Sequence, residues 1–156
     1  MEITKPLLKT IGHIEEISNI LEVICDTTGM GFAAVACITD TQWIACAVRD
    51  EINFGLKAGR GLVLETTLCN EIRQHYKPIV IDHVEKDVFY RSHHAPRIYG
   101  FQSCISVPIF FKNGKFFGVL CAIHSEPSNL KNSSAEKMFM LFSGVIATQL
   151  EKHWTA

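Results

Sequence analysis

Ile11, Ile14, Ile17, Leu21 and Ile24 recur at the three- and four-residue spacing of a helical face, and turn-forming residues from Asp26 to Gly31 stop the run. The spacing predicts a helix from about Ile11 to about Thr27. Two short apolar runs follow, FAAVACI (32–38) and WIACAV (43–48). Only the polar Thr39–Gln42 separates them, the pattern of a β-hairpin. Arg49–Gly61 carries charges and three glycines and reads as a loop. Leu64, Leu68 and Ile72 predict a second amphipathic helix ending near Tyr76. Lys77-Pro78 then breaks the pattern, because proline lacks the N–H a helix needs, and Ile79–Ile81 reads as a buried strand. Asp82–Gly100 is polar, with short helical turns at most. The stretches 102–111 and 116–124 read as strands joined by Lys112-Asn113-Gly114-Lys115, and Asn-Gly between strands is the strongest short-range hairpin signal. A polar link, 125–134, places Ser133 or Ser134 to cap a final helix running to about Trp154. The order predicts an α+β fold: a central antiparallel sheet of about five or six strands flanked by helices, with the terminal helices packed together on one face.

Side chains alternate faces along a strand, so the last two strands can be divided. Ile105, Val107 and Ile109, grouped with the β-branched Val119 and Ile123, suit packing against the terminal helices. The opposite faces, with Cys104 and Ser106 on one strand and Leu120, Ala122 and His124 on the other, mix apolar and polar groups as a ligand pocket does. The final helix is apolar on more than one side. Met138, Leu141, Val145 and Leu150 mark one stripe, Phe139, Phe142 and Ile146 widen it, and packing on a sheet requires only one. A homodimer through the first and last helices is the expected use of the remainder.

Composition narrows the class. With 156 residues, 47% of them hydrophobic and 20% charged, the chain is expected to form a single soluble domain, 1–156. The near-balance of 15 Lys+Arg against 16 Asp+Glu gives no electrostatic footprint for nucleic acid or a membrane surface. No signal-peptide pattern or membrane span is read, so a cytoplasmic location is expected. Cys37, Cys46, Cys104 and Cys121 sit in strand-like runs and Cys25 and Cys69 in helical patterns. None is paired as Cys-x-x-Cys, which points to buried reduced thiols and to no metal site.

The early hairpin FAAVACITDTQWIACAV, the Val107-Pro108-Ile109 strand end, the Asn113-Gly114 turn and the Gly118–Ile123 strand together resemble a GAF domain, over nearly the whole chain. GAF domains are cousins of PAS domains and are commonly sensory parts of larger signalling proteins. Gly29–Leu56 is similar to the N-terminal sensory module of bacterial sensor histidine kinases in two-component systems. The chain carries no phosphoacceptor or nucleotide-binding part, so the resemblance implies a histidine kinase or another effector as a partner. Phytochrome-type members hold a linear tetrapyrrole. His93, His94, His124 and Ser106 lie in the corresponding regions, but no cysteine adjoins His93-His94, and Asp82-His83-Val84 replaces the Asp-Ile-Pro of phytochromes. Covalent bilin attachment is therefore not expected, and a non-covalent bilin photosensor is one alternative. Free methionine sulfoxide reductases are GAF-fold thiol enzymes. Here Gly59-Arg60-Gly61 is followed by Leu62, Val63 and Leu64, with Cys69 arriving late, so a thiol enzyme is a second alternative. A ligand-free dimerisation module is a third. The Asn-Lys…Phe…Asp-Glu signature of cyclic-nucleotide-binding members is not found.

The expected function is non-enzymatic. A small molecule, unidentified by the sequence, binds non-covalently between the sheet and the 82–100 segment, and the terminal helices relay the event. Trp43 covers the cavity or the sheet edge, Cys104 and Ser106 face the cavity, and His124 contacts the ligand or Ser106. Tyr90 and Tyr99 line the mouth. Arg91 and Arg97 would take a carboxylate or phosphate if they turn inward. His93 and His94 either take structural or solvent-exposed roles or give a hydrogen bond to the ligand, and Asp82 either caps the turn after its strand or touches the ligand. No residue is assigned to catalysis or to a metal.

Overall fold

A computed structural model describes residues 3–154 of the chain. Six antiparallel strands, β1 (Phe32–Ile38), β2 (Gln42–Asp50), β3 (Gly61–Val63), β4 (Ile79–Ile81), β5 (Ser103–Phe110) and β6 (Phe116–His124), form one sheet in the order β3-β2-β1-β6-β5-β4. The helices α1 (Lys5–Gly12), α2 (Glu15–Thr28) and α5 (Ala135–His153) cover one face. The shorter α3 (Cys69–His75) and α4 (His94–Tyr99), with the loops around them, cover the other. β1, in the middle of the sheet, is buried at every position, which is why its sequence is an unbroken apolar run rather than an alternating one.

The single helix predicted from Ile11 is two. α1 starts earlier, with the Thr4 hydroxyl accepting from the Leu7 N–H (3.3 Å) and a proline in its first turn. The chain then leaves the helix at His13, and the backbone of Ile14 is extended. Ile11, Ile14 and Ile17 all bury on the same layer across this break, so their spacing mimics one continuous helix. α2 ends at Gly29 with φ of +73°, the left-handed conformation glycine adopts without penalty. The predicted second helix is also shorter than its pattern. Its first turn, Leu64–Thr66, is a 3-10 turn that follows the short strand β3, and α3 begins only at Cys69.

The hairpin β5–β6 carries the largest correction. Next to the turn Phe110 pairs with Phe116, a register that would set Ser106 opposite Leu120. Between Ile109 and Phe110 the register shifts: Ile109 pairs with Gly118, and Phe117 is the extra residue of a β-bulge. Past the bulge Ser106 faces Cys121 and Cys104 faces Ile123. The faces of β6 are therefore the reverse of those expected. Leu120 and Ala122 pack with Ile105, Val107 and Ile109 under the helices, and Val119 and Cys121 join Cys104 on the other side. Asn113 is not left-handed; Gly114 alone in this turn is, at φ of +84°. A one-residue slip moves every side chain to the other face, and the bulge supplies that slip.

On α5, Phe139, Ile146 and Leu150 are fully buried, and the Ser133 hydroxyl accepts from the Ala135 N–H (3.1 Å) at its start. Leu141, Met140 and Val145 point outward at 68%, 45% and 40% exposure. No helix among the described residues is long and apolar enough to cross a membrane.

Candidate functional site

The helix-poor face of the sheet is roofed by two segments. The first is the loop after β2. Asp50 ends that strand, and its carboxylate accepts from the backbone N–H groups of Ile52 (3.2 Å), Phe54 (2.9 Å) and Gly55 (2.8 Å). Gly55 takes φ of +97°. The loop so folded sets the Phe54 ring 4.9 Å from Phe32 and 6.2 Å from Tyr99. The chain continues through β3 and the 64–66 turn, where the Thr67 hydroxyl donates to the Leu64 carbonyl (2.8 Å), and delivers Leu68 and Cys69 onto the sheet.

The second roof segment is α4, held to the first by side chains. His93 caps α4, its Nδ1 accepting from the Ala95 N–H (3.0 Å), while its Nε2 lies 3.2 Å from the Glu71 carboxylate. His94 stacks on His93 with centroids 4.2 Å apart and places Nε2 2.5 Å from the Glu65 carbonyl. Tyr99 bonds the Thr66 hydroxyl (2.5 Å). Burial lowers the His93 pKa, and the Glu71 carboxylate partly offsets this. Burial first, and then Glu71, pushes Tyr90 up to about 12.

Between roof and sheet lies an apolar cavity of about 60 Å³. Phe32, Trp43, Cys104, Cys121 and Ile123 rise from the strands, and Phe54, Leu56, Leu62, Leu68, Cys69, Ala95 and Tyr99 close it from above. Phe54, Leu56, Leu62 and Tyr99 are only half-buried and form its mouth. The Ser106 hydroxyl lies beneath, fully buried, 3.5 Å from the Cys69 sulfur. The neighbouring Cys121 thiol first, and then Ser106 and the Trp43 indole, lower the Cys69 pKa against the cost of burial. Cys121 moves the opposite way, raised by the neighbouring Cys69 and by burial. Burial raises Cys104. All six cysteines are free thiols.

The predicted site residues divide. Trp43, Tyr99 and Cys104 line the cavity, and Ser106 sits under its floor. His93 and His94 latch the roof instead of facing the cavity, and Tyr90 packs beside them, 6.2 Å from the His93 ring. Arg91 and Arg97 are exposed. Asp82 ties down the link after β6, its Oδ1 accepting from the Leu130 N–H (2.8 Å) and the Lys131 N–H (3.0 Å). His124 follows the reversed face of β6. It abuts Gly31 away from the cavity, and its Nδ1 has no hydrogen-bond partner among the described residues. Sequence patterns do not single out Phe54 and Leu56, because the region 49–61 reads as loop, nor Leu62, Leu68 and Cys69, which lie beside or within a predicted amphipathic helix. The aromatic and leucine residues inside that glycine-bearing loop were the available signal.

Fold and cavity together define an α+β domain with an apolar cavity on one face of its sheet. The family model for the GAF domain matches residues 13–151, and the chain belongs to that family. A GAF domain region of a putative membrane protein from Geobacter sulfurreducens superposes with a TM-score of 0.70 at 15% identity, covering 94% of this chain and 96% of that one. A type II free methionine-R-sulfoxide reductase from Thermoplasma acidophilum gives 0.69 at 12% identity, over 96% and 98%. Among curated proteins, the diguanylate cyclase DgcP of Escherichia coli is 38% identical over 58 residues, which are 37% of this chain and 17% of that protein.

Proposed function

We propose that the chain is the sensory part of a signalling system. In this reading it binds a small, largely apolar molecule non-covalently between the sheet and the roof made by residues 51–69 and α4. The observation that carries the reading is the apolar cavity under a roof fastened by a few side-chain latches. Its volume of about 60 Å³ is well below the ~300–1,000 Å³ of preformed ligand sites. A ligand must therefore lift the roof, and a tetrapyrrole would have to displace it altogether, which favours a compact ligand over a bilin. Roof movement bears on β1, β5 and β6, whose other face carries the terminal helices. Such a relay requires the ligand to bind the two roof positions with different affinity. Exposed Met140, Leu141 and Val145 on α5 are where a second copy would pack, with a histidine kinase or another effector receiving the change.

The test is native mass spectrometry of protein taken directly from cells, followed by melting with the compound found. A ligand at about 100 times its Kd stabilises by about 2.7 kcal/mol, a melting shift of about 5–11 °C for a chain of this size. Ala95→Leu, which fills the cavity, should abolish that shift while the unliganded protein still melts cooperatively. A dimer that carries no added mass, and whose melting no compound of a metabolite panel shifts, would overturn the reading in favour of a dimerisation module.

A further inference from the structure

Three of the six thiols converge on one spot. Cys69, Cys104 and Cys121 line the cavity and keep 7%, 4% and 6% exposure, whereas Cys37 and Cys46, on the helix-covered side, have none. Cys69 and Cys121 flank the same hydroxyl. The Cys69 sulfur is 3.5 Å from Ser106 Oγ, and Cys121 is the residue directly across the β5–β6 ladder from Ser106. Cys104 shares the face but lies two residues along β5, roughly 7 Å away at strand rise. We propose that Cys69 and Cys121 are a redox pair, oxidised to a disulfide by a small hydroperoxide that enters through the cavity.

The chemistry balances with the peroxide as the sole oxidant. The Cys69 thiolate attacks the outer oxygen of the hydroperoxide. An S–O bond forms, the O–O bond breaks, and the departing alkoxide or hydroxide takes up the proton Cys69 gave up, leaving as alcohol or water. Cys69 is then a sulfenic acid. The Cys121 sulfur attacks the Cys69 sulfur, the S–O bond breaks, and the hydroxyl leaves with the Cys121 proton as water. Two electrons pass from the two sulfurs to the peroxide.

Cys69 is the attacking sulfur: it lies 3.5 Å from the Ser106 hydroxyl, which can donate to its thiolate, and its surroundings lower its pKa while those of Cys121 raise that one. The cavity of about 60 Å³ behind a half-buried mouth admits hydrogen peroxide or a short alkyl hydroperoxide and excludes a bulky one. The reaction does not require the ligand of the preceding section, although a ligand in the cavity would block it.

The experiment uses the whole reduced chain, freed of reductant, dosed with hydrogen peroxide, alkylated and mapped by mass spectrometry. The expected result is the loss of two thiols and one peptide linking Cys69 to Cys121, reversed by dithiothreitol. Cys121→Ser should stop at a sulfenic acid on Cys69 that dimedone captures. Cumene hydroperoxide should react more slowly than hydrogen peroxide. Persistence of all six free thiols, a link through Cys104, or an unchanged rate of thiol loss in Cys69→Ser would each overturn the proposal. The map of the unsubstituted chain decides the matter even if a variant folds poorly. Melting shifts of the fully reduced protein report ligand binding separately, so one reading can fail without the other.

Discussion

Gly118 is where the sheet has no room for a side chain. A Cβ built there would lie 1.9 Å from the Ala36 carbonyl oxygen, 2.9 Å from its carbonyl carbon and 3.0 Å from Cys37 Cα, all backbone atoms of the central strand. A carbon approaches a carbonyl oxygen no closer than about 3.3 Å in ordinary C–H···O contacts. Gly118→Ala would therefore force β1 and β6 apart by about 1.4 Å at that rung, enough to break a ladder hydrogen bond of ordinary length. Overpacking costs about 1–3 kcal/mol, and each lost backbone bond adds about 0.5–1.5 kcal/mol, so a loss of about 3 kcal/mol is expected. That corresponds to a fall in melting temperature of about 6–12 °C, to be measured by urea and thermal unfolding followed by circular dichroism. Gly144→Ala is the control. Gly144 lies inside α5 with nothing within 4 Å of the added carbon, so alanine there should stabilise by about 0.5–1 kcal/mol. If Gly118→Ala unfolds within about 0.5 kcal/mol of the parent, the close approach is wrong, and the β6 register that turns Cys121 into the cavity is wrong with it.

Two further predictions concern the fastenings of the roof and of the sheet end. The lowered His93 pKa means that below its ordinary value of about 6.5 the unfolded chain binds the proton more readily than the folded one. Stability contributed here is present above that pH and lost as the pH falls through the folded-state value. Protonation also removes the Nδ1 acceptor of the Ala95 N–H, while Glu71 opposes the loss and stacked His94 adds to it. Amide exchange in α4, corrected for its intrinsic pH dependence, should be faster at acid pH in the parent and insensitive in His93→Gln; equal protection across pH 5–7.5 would refute the latch. Asp82→Ala leaves the Leu130 and Lys131 N–H groups without their acceptor and should cost about 2–3 kcal/mol in urea unfolding. Asp82→Asn should cost less than half of that. A loss of ligand affinity without loss of stability in Asp82→Ala would restore it to the site.

Local patterns sufficed for the elements whose neighbours in space are neighbours in sequence. The first hairpin, the 79–81 strand, the final hairpin and the last helix are each specified by a run and its flanking turn residues. Patterns failed where a spacing was satisfied by two different geometries. Ile11, Ile14 and Ile17 bury together whether or not the helix is broken at His13, because the break preserves the face. Leu64 and Leu68 fit a helical stripe, yet a 3-10 turn and an extended Thr67 present both to the same layer.

The candidate site was harder to read because it depends on one residue of register. Cys104 and Ser106 fall on the cavity side by the parity of their own strand, and they lie there. The parity of β6 sets His124 with them, but it lies elsewhere, since Phe117 is looped into a bulge and every later residue of β6 changes face. The two adjacent phenylalanines 116 and 117 look equivalent in sequence. In the sheet, Phe116 packs with Tyr76 and Phe110 on the cavity layer's side, and Phe117 packs with Phe111 and Trp154 under the helices. Both faces of the sheet are apolar here, so alternation gave no warning. The choice between registers rests on the close approach at Gly118 and on which ring each aromatic meets. That choice sets His124 aside and brings Cys121 opposite Ser106. The cavity wall is therefore thiols and mostly apolar side chains, whereas strand parity alone sets His124 beside Cys104 and Ser106.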